Sequence, residues 1–185
     1  MIAAMTADGY IAKSPNQIST QWTSRVDGEW FAQRTKQAGV CVMGRTTFQT
    51  MGRALPERTL IIQTSQSEFV SDNGVQVKKF DEMANWHLQK GATEVLTTNL
   101  PISQLADKLV KSGVQELAIC GGASIYTQWL KSGLVNKLYL TIEPKLFGQG
   151  VSLLSSAVDV KLNLVTTKKL NSNTLLMEYT VSSEG

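Results

Sequence analysis

One histidine, His87, and two cysteines, Cys41 and Cys120, leave little material for several common chemistries. No Ser-His-Asp or Cys-His relay can be assembled around a single imidazole that follows Trp86 on what reads as the face of an amphipathic helix. Two cysteines without metal-ligand spacing exclude a zinc-type site and argue for a reducing compartment. Each lies inside an apolar run, where it acts as a small buried hydrophobe. No apolar run approaches the roughly 20 residues that cross a bilayer, and no secretory signal pattern opens the chain. The expected location is therefore cytoplasmic. Charge is scarce too. A net +3 without a basic run points away from nucleic acid and membrane surfaces, while anionic small molecules remain compatible. Linkers, repeats and low-complexity tracts are also missing, so residues 1–185 are expected to form one domain, large enough for a core without disulfides or metals.

What is present is an alternation of short apolar strands and helical patterns, the signature of an α/β fold with a largely parallel sheet. Strands are expected at Met1–Thr6, Val40–Met43, Leu60–Gln63, Val75–Lys79, Leu117–Cys120 and Lys137–Ile142, while Glu94–Thr98 reads as a short strand whose Thr-Thr-Asn-Leu-Pro end fits a loop equally well. Helices are expected over Arg25–Ala38, capped by Thr23-Ser24 and closed by Gly39, and over Thr46–Met51, Phe80–Lys90 and Ser103–Ser112. Another helix follows Gly121-Gly122. Leu162–Lys169 and Thr174–Val181 flank Asn171-Ser172-Asn173, a hairpin signal that predicts an antiparallel finish. Lys13–Thr20 is polar and reads as an exposed loop ending at Trp22.

Three strand ends carry candidate chemistry. After Leu117–Cys120, Gly121 and Gly122 remove two Cβ atoms, and Ala123, Ser124, Ile125 and Tyr126 open a helix whose free N–H groups suit an anion, most often a phosphate. The same stretch also fits an ordinary tight strand-to-helix turn. Gly44-Arg45-Thr46-Thr47 and Thr64-Ser65 end two further strands, and strand C-termini of a parallel sheet share one edge, where ligands bind. Arg45 offers a fork of donors, and the hydroxyls offer more. The combination suits a phosphorylated dinucleotide such as NADPH. A solvated arginine and helix-capping hydroxyls are the competing account. The spacing is not that of the Rossmann glycine fingerprint. Asp27 is the one carboxylate set between Trp22 and the helix face of Trp30 and Phe31. It can hold an amino-substituted heterocycle and help deliver a proton, and burial would raise its proton affinity. It can equally serve as a helix-start residue favoured by the dipole.

Taken together, Trp22…Asp27…Trp30-Phe31, Val42-Met43-Gly44-Arg45-Thr46-Thr47-Phe48, Gly52-Arg53-Ala54-Leu55-Pro56-Glu57-Arg58, Thr64-Ser65, Ile119-Cys120-Gly121-Gly122-Ala123-Ser124-Ile125-Tyr126 and Leu138-Tyr139-Leu140-Thr141 resemble the dihydrofolate reductase family, in the family's order. The resemblance implies a mostly parallel central sheet flanked by helices with an antiparallel C-terminal hairpin. It implies NADPH-dependent reduction of dihydrofolate to tetrahydrofolate by hydride transfer. Asp27 would be the acid, with Thr141 hydrogen-bonded to it, and Trp22 with the loop Ala12–Gln21 would close over the nicotinamide. Phe31, Met51 and Cys120 would line the substrate cleft, and Arg58 would meet the glutamate carboxylate of folate. Arg45, Thr46, Thr64 and Ser65 would hold the 2′-phosphate side of NADPH. Thr47, Gly121, Gly122, Ala123, Ser124, Ile125 and Tyr126 would hold the pyrophosphate region, with Ala4, Ile11 and Gly44 completing the cofactor site. No metal is implied, and the partner is a folate-like small molecule, the chain acting as a monomer or homodimer.

The sequence departs from that pattern in four places. The loop before Trp22 is long, Gly28 stands where a larger apolar residue is usual, the three-glycine run reads Gly121-Gly122-Ala123, and the region Glu68–Val114 is long. Gly133 to Gly150 is similar instead to the reductase domain of riboflavin biosynthesis, which shares the fold. Three functions follow as expectations: reduction of dihydrofolate, reduction of a ribosylamino-pyrimidine, in which a substrate phosphate needs basic groups and Arg58 has no carboxylate to meet, and nucleotide binding without turnover.

Overall fold

A computed structural model describes residues 1–66 and 74–182, so the start of the long region beginning at Glu68 lies outside the described residues. The near-continuous apolar runs become central parallel strands. β3 (Val40–Gly44), β4 (Thr59–Gln63), β6 (Glu94–Thr98), β7 (Leu117–Ile119) and the two-residue β5 (Lys78–Lys79) make a five-stranded parallel sheet in the order β5-β6-β4-β3-β7. Strands buried on both faces have no polar side to present, which is why β3 and β4 do not alternate in polarity. Their side chains still alternate between two cores. Val40, Val42, Ile61, Leu96 and Ile119 pack on one face. Cys41, Met43, Leu60, Ile62, Val95 and Ala118 pack on the other.

A second sheet has the order β1-β8-β11-β10, from β1 (Ile2–Thr6), β8 (Lys137–Glu143), β11 (Leu175–Ser182) and β10 (Lys161–Lys169). β1 and β8 are parallel, and the rest is the expected antiparallel finish. Asn171 closes the β10–β11 hairpin by accepting the Asn173 and Thr174 N–H groups at 2.7 and 2.8 Å. Every residue of β10 is exposed, and its register slips at a bulge between Leu164 and Thr166. A short pair, β2 (Tyr10–Ala12) with β9 (Val151–Ser152), holds the start of the loop that precedes Trp22.

The helices are α1 (Arg25–Ala38), α2 (Arg45–Met51), α3 (Ile102–Lys111) and α4 (Ala123–Lys131). Ser24 caps α1 by accepting the Asp27 N–H at 3.4 Å, and Gly39 ends it in the left-handed conformation. Two expectations fail. The strand expected over Val75–Lys79 is limited to Lys78–Lys79, and the helix expected over Phe80–Lys90 is a single 3₁₀ turn, Phe80–Glu82. Lys108 Nζ takes the carbonyls of Phe80 and Asp81 at 2.5 and 3.3 Å, acceptors that a continuing helix would use. Asp81 turns instead to the Asn99 N–H and the Thr98 hydroxyl. His87 is thus exposed on an irregular segment and is not among the residues that line the cleft described below.

Candidate active site

Parallel register brings the ends of β3, β4 and β6 level: Gly44 lies beside Gln63, and Gln63 beside Thr98. Cys120 follows β7 on the same edge, its N–H donating to the Val42 carbonyl at 2.8 Å. Along this edge runs one cleft of about 1690 Å³. It passes between the strand ends, the first turns of α2 and α4, and the outer face of α1.

At one end the backbone is bare. The Gly44 N–H donates to the Gly121 carbonyl at 2.8 Å, bringing the two strand ends together. A Cβ on Gly121 would stand 3.1 Å from the Tyr126 hydroxyl, one on Gly122 would stand 3.0 Å from Thr47 Oγ1, and one on Gly44 3.0 Å from Ile125 Cγ1. Gly121 also holds a φ of 109°, which side-chain-bearing residues rarely adopt. Gly122 is the cap of α4 and has no side-chain hydrogen bond to offer, so the first N–H groups of α4 are left to whatever occupies the cleft. Arg45, Thr46, Thr64 and Ser65 line the same end, and Arg45 holds only a 3.2 Å contact to Gln49 on its own helix. Free amide donors, hydroxyls and a half-buried guanidinium form a donor set that fits an anionic, phosphorylated dinucleotide. Ala4, Ile11, Ala123, Ser124, Ile125 and Tyr126 also line the cleft, although the Tyr126 hydroxyl turns inward to the Ile2 carbonyl at 2.7 Å.

At the other end stands Asp27, buried in the first turn of α1. Burial raises the proton affinity of its carboxyl, the hydroxyls of Thr141 and Thr23 oppose that, and the nearby Glu143 charge adds to it. Phe31, Met51 and Cys120 line the walls. Cys120 is half-buried, not the enclosed hydrophobe that its apolar run suggests. Arg58 lines the cleft while only 4% exposed, its Nε donating to the Pro56 carbonyl at 2.9 Å and its Nη1 to Thr35 Oγ1 at 2.7 Å. Its plane is therefore fixed before any anion arrives. A Cβ on Gly28 would meet nothing within 4 Å, so the cleft is wide beside the acid.

Of the residues expected in the site, only Trp22 and Thr141 do not line the cleft. Thr141, 1% exposed, has its hydroxyl against the Asp27 carboxyl. Trp22 departs from expectation: its ring is buried edge-on against Phe147 at 5.3 Å, and its indole N–H has no hydrogen-bond partner among the described residues. The parts of the loop that reach the cleft are Ala12, Pro15 and Gln17–Thr20.

Several residues went unread in the sequence. Arg25 and Arg53 add two cations to the cleft lining, and Asn99–Ile102 line the same cleft. Glu143, 2% exposed, lies behind Asp27 and accepts the Ser24 N–H and hydroxyl at 2.8 and 2.7 Å and the Thr174 hydroxyl at 3.2 Å. Its signal was available, because it shares a strand face with Thr141, two residues earlier on β8.

Comparison with known proteins agrees with this fold. A dihydrofolate reductase from Buchnera aphidicola is 30% identical over 144 residues, covering 75% of this chain and 71% of that protein. The solved structure of Acinetobacter baumannii RibD superposes with a TM-score of 0.73 at 13% identity, covering 98% of this chain and 57% of that one. Dihydrofolate reductase from Enterococcus faecalis, solved with NADP(H), superposes with a TM-score of 0.64 at 18% identity, covering 98% and 95%. The family model described as the RibD C-terminal domain matches residues 1–176. With a relative named dihydrofolate reductase and both kinds of structure as neighbours, the chain belongs to the RibD C-terminal domain family.

Proposed function

We propose that this protein is an NADPH-dependent reductase that passes a hydride to a ring of an amino-substituted heterocycle. The observation that carries the reading is one cleft lined both by the bare Gly121-Gly122 turn before α4 and by a buried carboxylic acid, Asp27. Arg45, Thr46, Thr64 and Ser65 would hold the 2′-phosphate, and the amides of Gly122 to Ser124 the pyrophosphate. The bound cofactor supplies the hydride; the protein supplies position, exclusion of water and a proton. Asp27 pairs with the amino and ring-nitrogen groups of the heterocycle, and Thr141 orients it from behind. Its raised proton affinity keeps a proton available at a pH where an exposed carboxyl has lost it.

Two substrates fit. Dihydrofolate is favoured by Asp27 with Thr141, the Phe31 wall and the preset plane of Arg58, which suits a carboxylate. A ribosylamino-pyrimidine is favoured at least as strongly by the family match, by the RibD neighbours and by Arg25 and Arg53, which give a substrate phosphate the cations it needs. NADPH oxidation assayed side by side with dihydrofolate and with 5-amino-6-(5-phosphoribosylamino)uracil separates them. Asp27→Asn is expected to lower kcat/KM on the accepted substrate by roughly a hundredfold or more while leaving NADPH binding intact. Full turnover in that variant would remove Asp27 from the mechanism. Tight NADPH binding with neither substrate reduced would favour a nucleotide-binding role instead.

A further inference from the structure

Behind the acid is a second buried carboxylate for which reduction itself has no use. Glu143 ends β8 at 2% exposure, and neither it nor Asp27 belongs to an ion pair among the described residues. A buried carboxylate without a cation costs several kcal/mol unless hydrogen bonds replace its water. Here three do. Two come from the backbone N–H and hydroxyl of Ser24, and one from the hydroxyl of Thr174 on the turn before β11. Ser24 is the same residue whose oxygen accepts the Asp27 N–H. By donating its proton to Glu143, the hydroxyl is oriented with its lone pairs toward α1, and a charged acceptor holds that orientation more firmly than a neutral one. The chain of contact runs from β8 through one hydroxyl to the turn that carries the acid.

The other ionisable groups around the pair are few. On β1, Thr6 lies level with Glu143, and its hydroxyl goes to Asp8, an exposed carboxylate held by the Phe147 and Gly148 N–H groups. On α1, Arg25 and Glu29 pair with each other in solvent. Tyr126 of α4 is buried, and burial holds its phenol neutral. Glu143 is therefore the buried charge that Asp27 senses.

We propose that Glu143 is a positioning residue for Asp27: through the Ser24 hydroxyl it fixes the first turn of α1, and as a second buried negative charge it keeps the proton on the acid until substrate is bound. The proposal rests on the reductase reading for its catalytic meaning, while its physical content concerns Asp27 alone. The test uses the full chain with Glu143→Gln, an isostere that can still accept from Ser24 but carries no charge. The Asp27 carboxyl is titrated by carboxyl-carbon NMR without cofactor, and the pH profile of kcat/KM is measured on the accepted substrate. The Asp27 midpoint is expected to move to lower pH in Glu143→Gln, with the same acidward displacement in the kinetic profile. At the alkaline end kcat/KM should fall roughly tenfold, with KM for NADPH unchanged. Ser24→Ala, which breaks the hydroxyl bridge and leaves the charge, should lower Tm but keep the Asp27 midpoint close to the parent's. Superimposable Asp27 titrations in the parent and Glu143→Gln would overturn the proposal. If the parent reduces neither substrate, the reductase reading fails, and the NMR titration still decides the role of Glu143.

Discussion

Asp27 shows how a single residue trades stability for chemistry. Burial raises its proton affinity in the folded chain above the ordinary value of 3.8 that the unfolded chain keeps. Between those two values the native state binds more protons than the unfolded state, so stability falls as pH rises through that window. Above it the penalty is complete, and below 3.8 it vanishes. Asp27→Asn is therefore expected to raise Tm at neutral pH and to have no such advantage in acid below that value. Paired melting curves at the two pH values measure it, and a variant no more stable than the parent at neutral pH would contradict the sign. The gain would accompany loss of turnover, as is common where a site keeps a desolvated charge.

Elements differ in how openly the sequence announces them. α1 has the bounds that its cap, its acidic first turn and Gly39 predict, because those local signals and the tertiary packing agree. The strands ending at the cleft were legible for the same reason. The segment after Phe80 was not, because Phe80, Met83 and Trp86 recur at a spacing that also suits a helix. Tertiary contacts instead satisfy its groups one by one. Phe80 and Trp86 stack edge-on at 5.2 Å, Trp86 donates to Glu94 at 2.9 Å, and Lys108 takes two carbonyls. Most of the cleft lining was legible because it lies at strand ends; Glu143 was marked only by the strand face that it shares with Thr141, since its partners are over a hundred residues earlier and some thirty later. The β2–β9 pair depends on one close approach. A Cβ on Gly150 would collide with the Ala12 carbonyl oxygen, which is backbone and cannot move aside alone. Gly150→Ala should thus cost about 1–3 kcal/mol and expose the loop ahead of Trp22 to proteolysis. An unchanged Tm and digestion pattern would show that the pairing is dispensable.

Across the whole molecule, the two faces of the parallel sheet share the burden of stability. Phe80 has no exposed surface, lies in the larger core cluster, and carries Lys108 Nζ over its ring at 4.5 Å. Phe80→Ala is expected to cost about 3–5 kcal/mol, a fall in Tm of roughly 10 °C for a chain of this size. The far edge of the second sheet imposes a different demand. β10 pairs with β11 on one side and presents Leu162, Leu164 and Val165 to solvent as the edge strand among the described residues. Such an edge invites a neighbouring chain to add itself as the next strand, and here the bulge and the charges of Lys161, Lys168 and Lys169 stand against that. Colloidal behaviour should therefore depend on three exposed lysines that do not line the cleft. Replacing all three by threonine is expected to leave the chain folded yet produce light scattering that grows with concentration, a solubility limit written into the last strand pair and independent of the chemistry at the cleft.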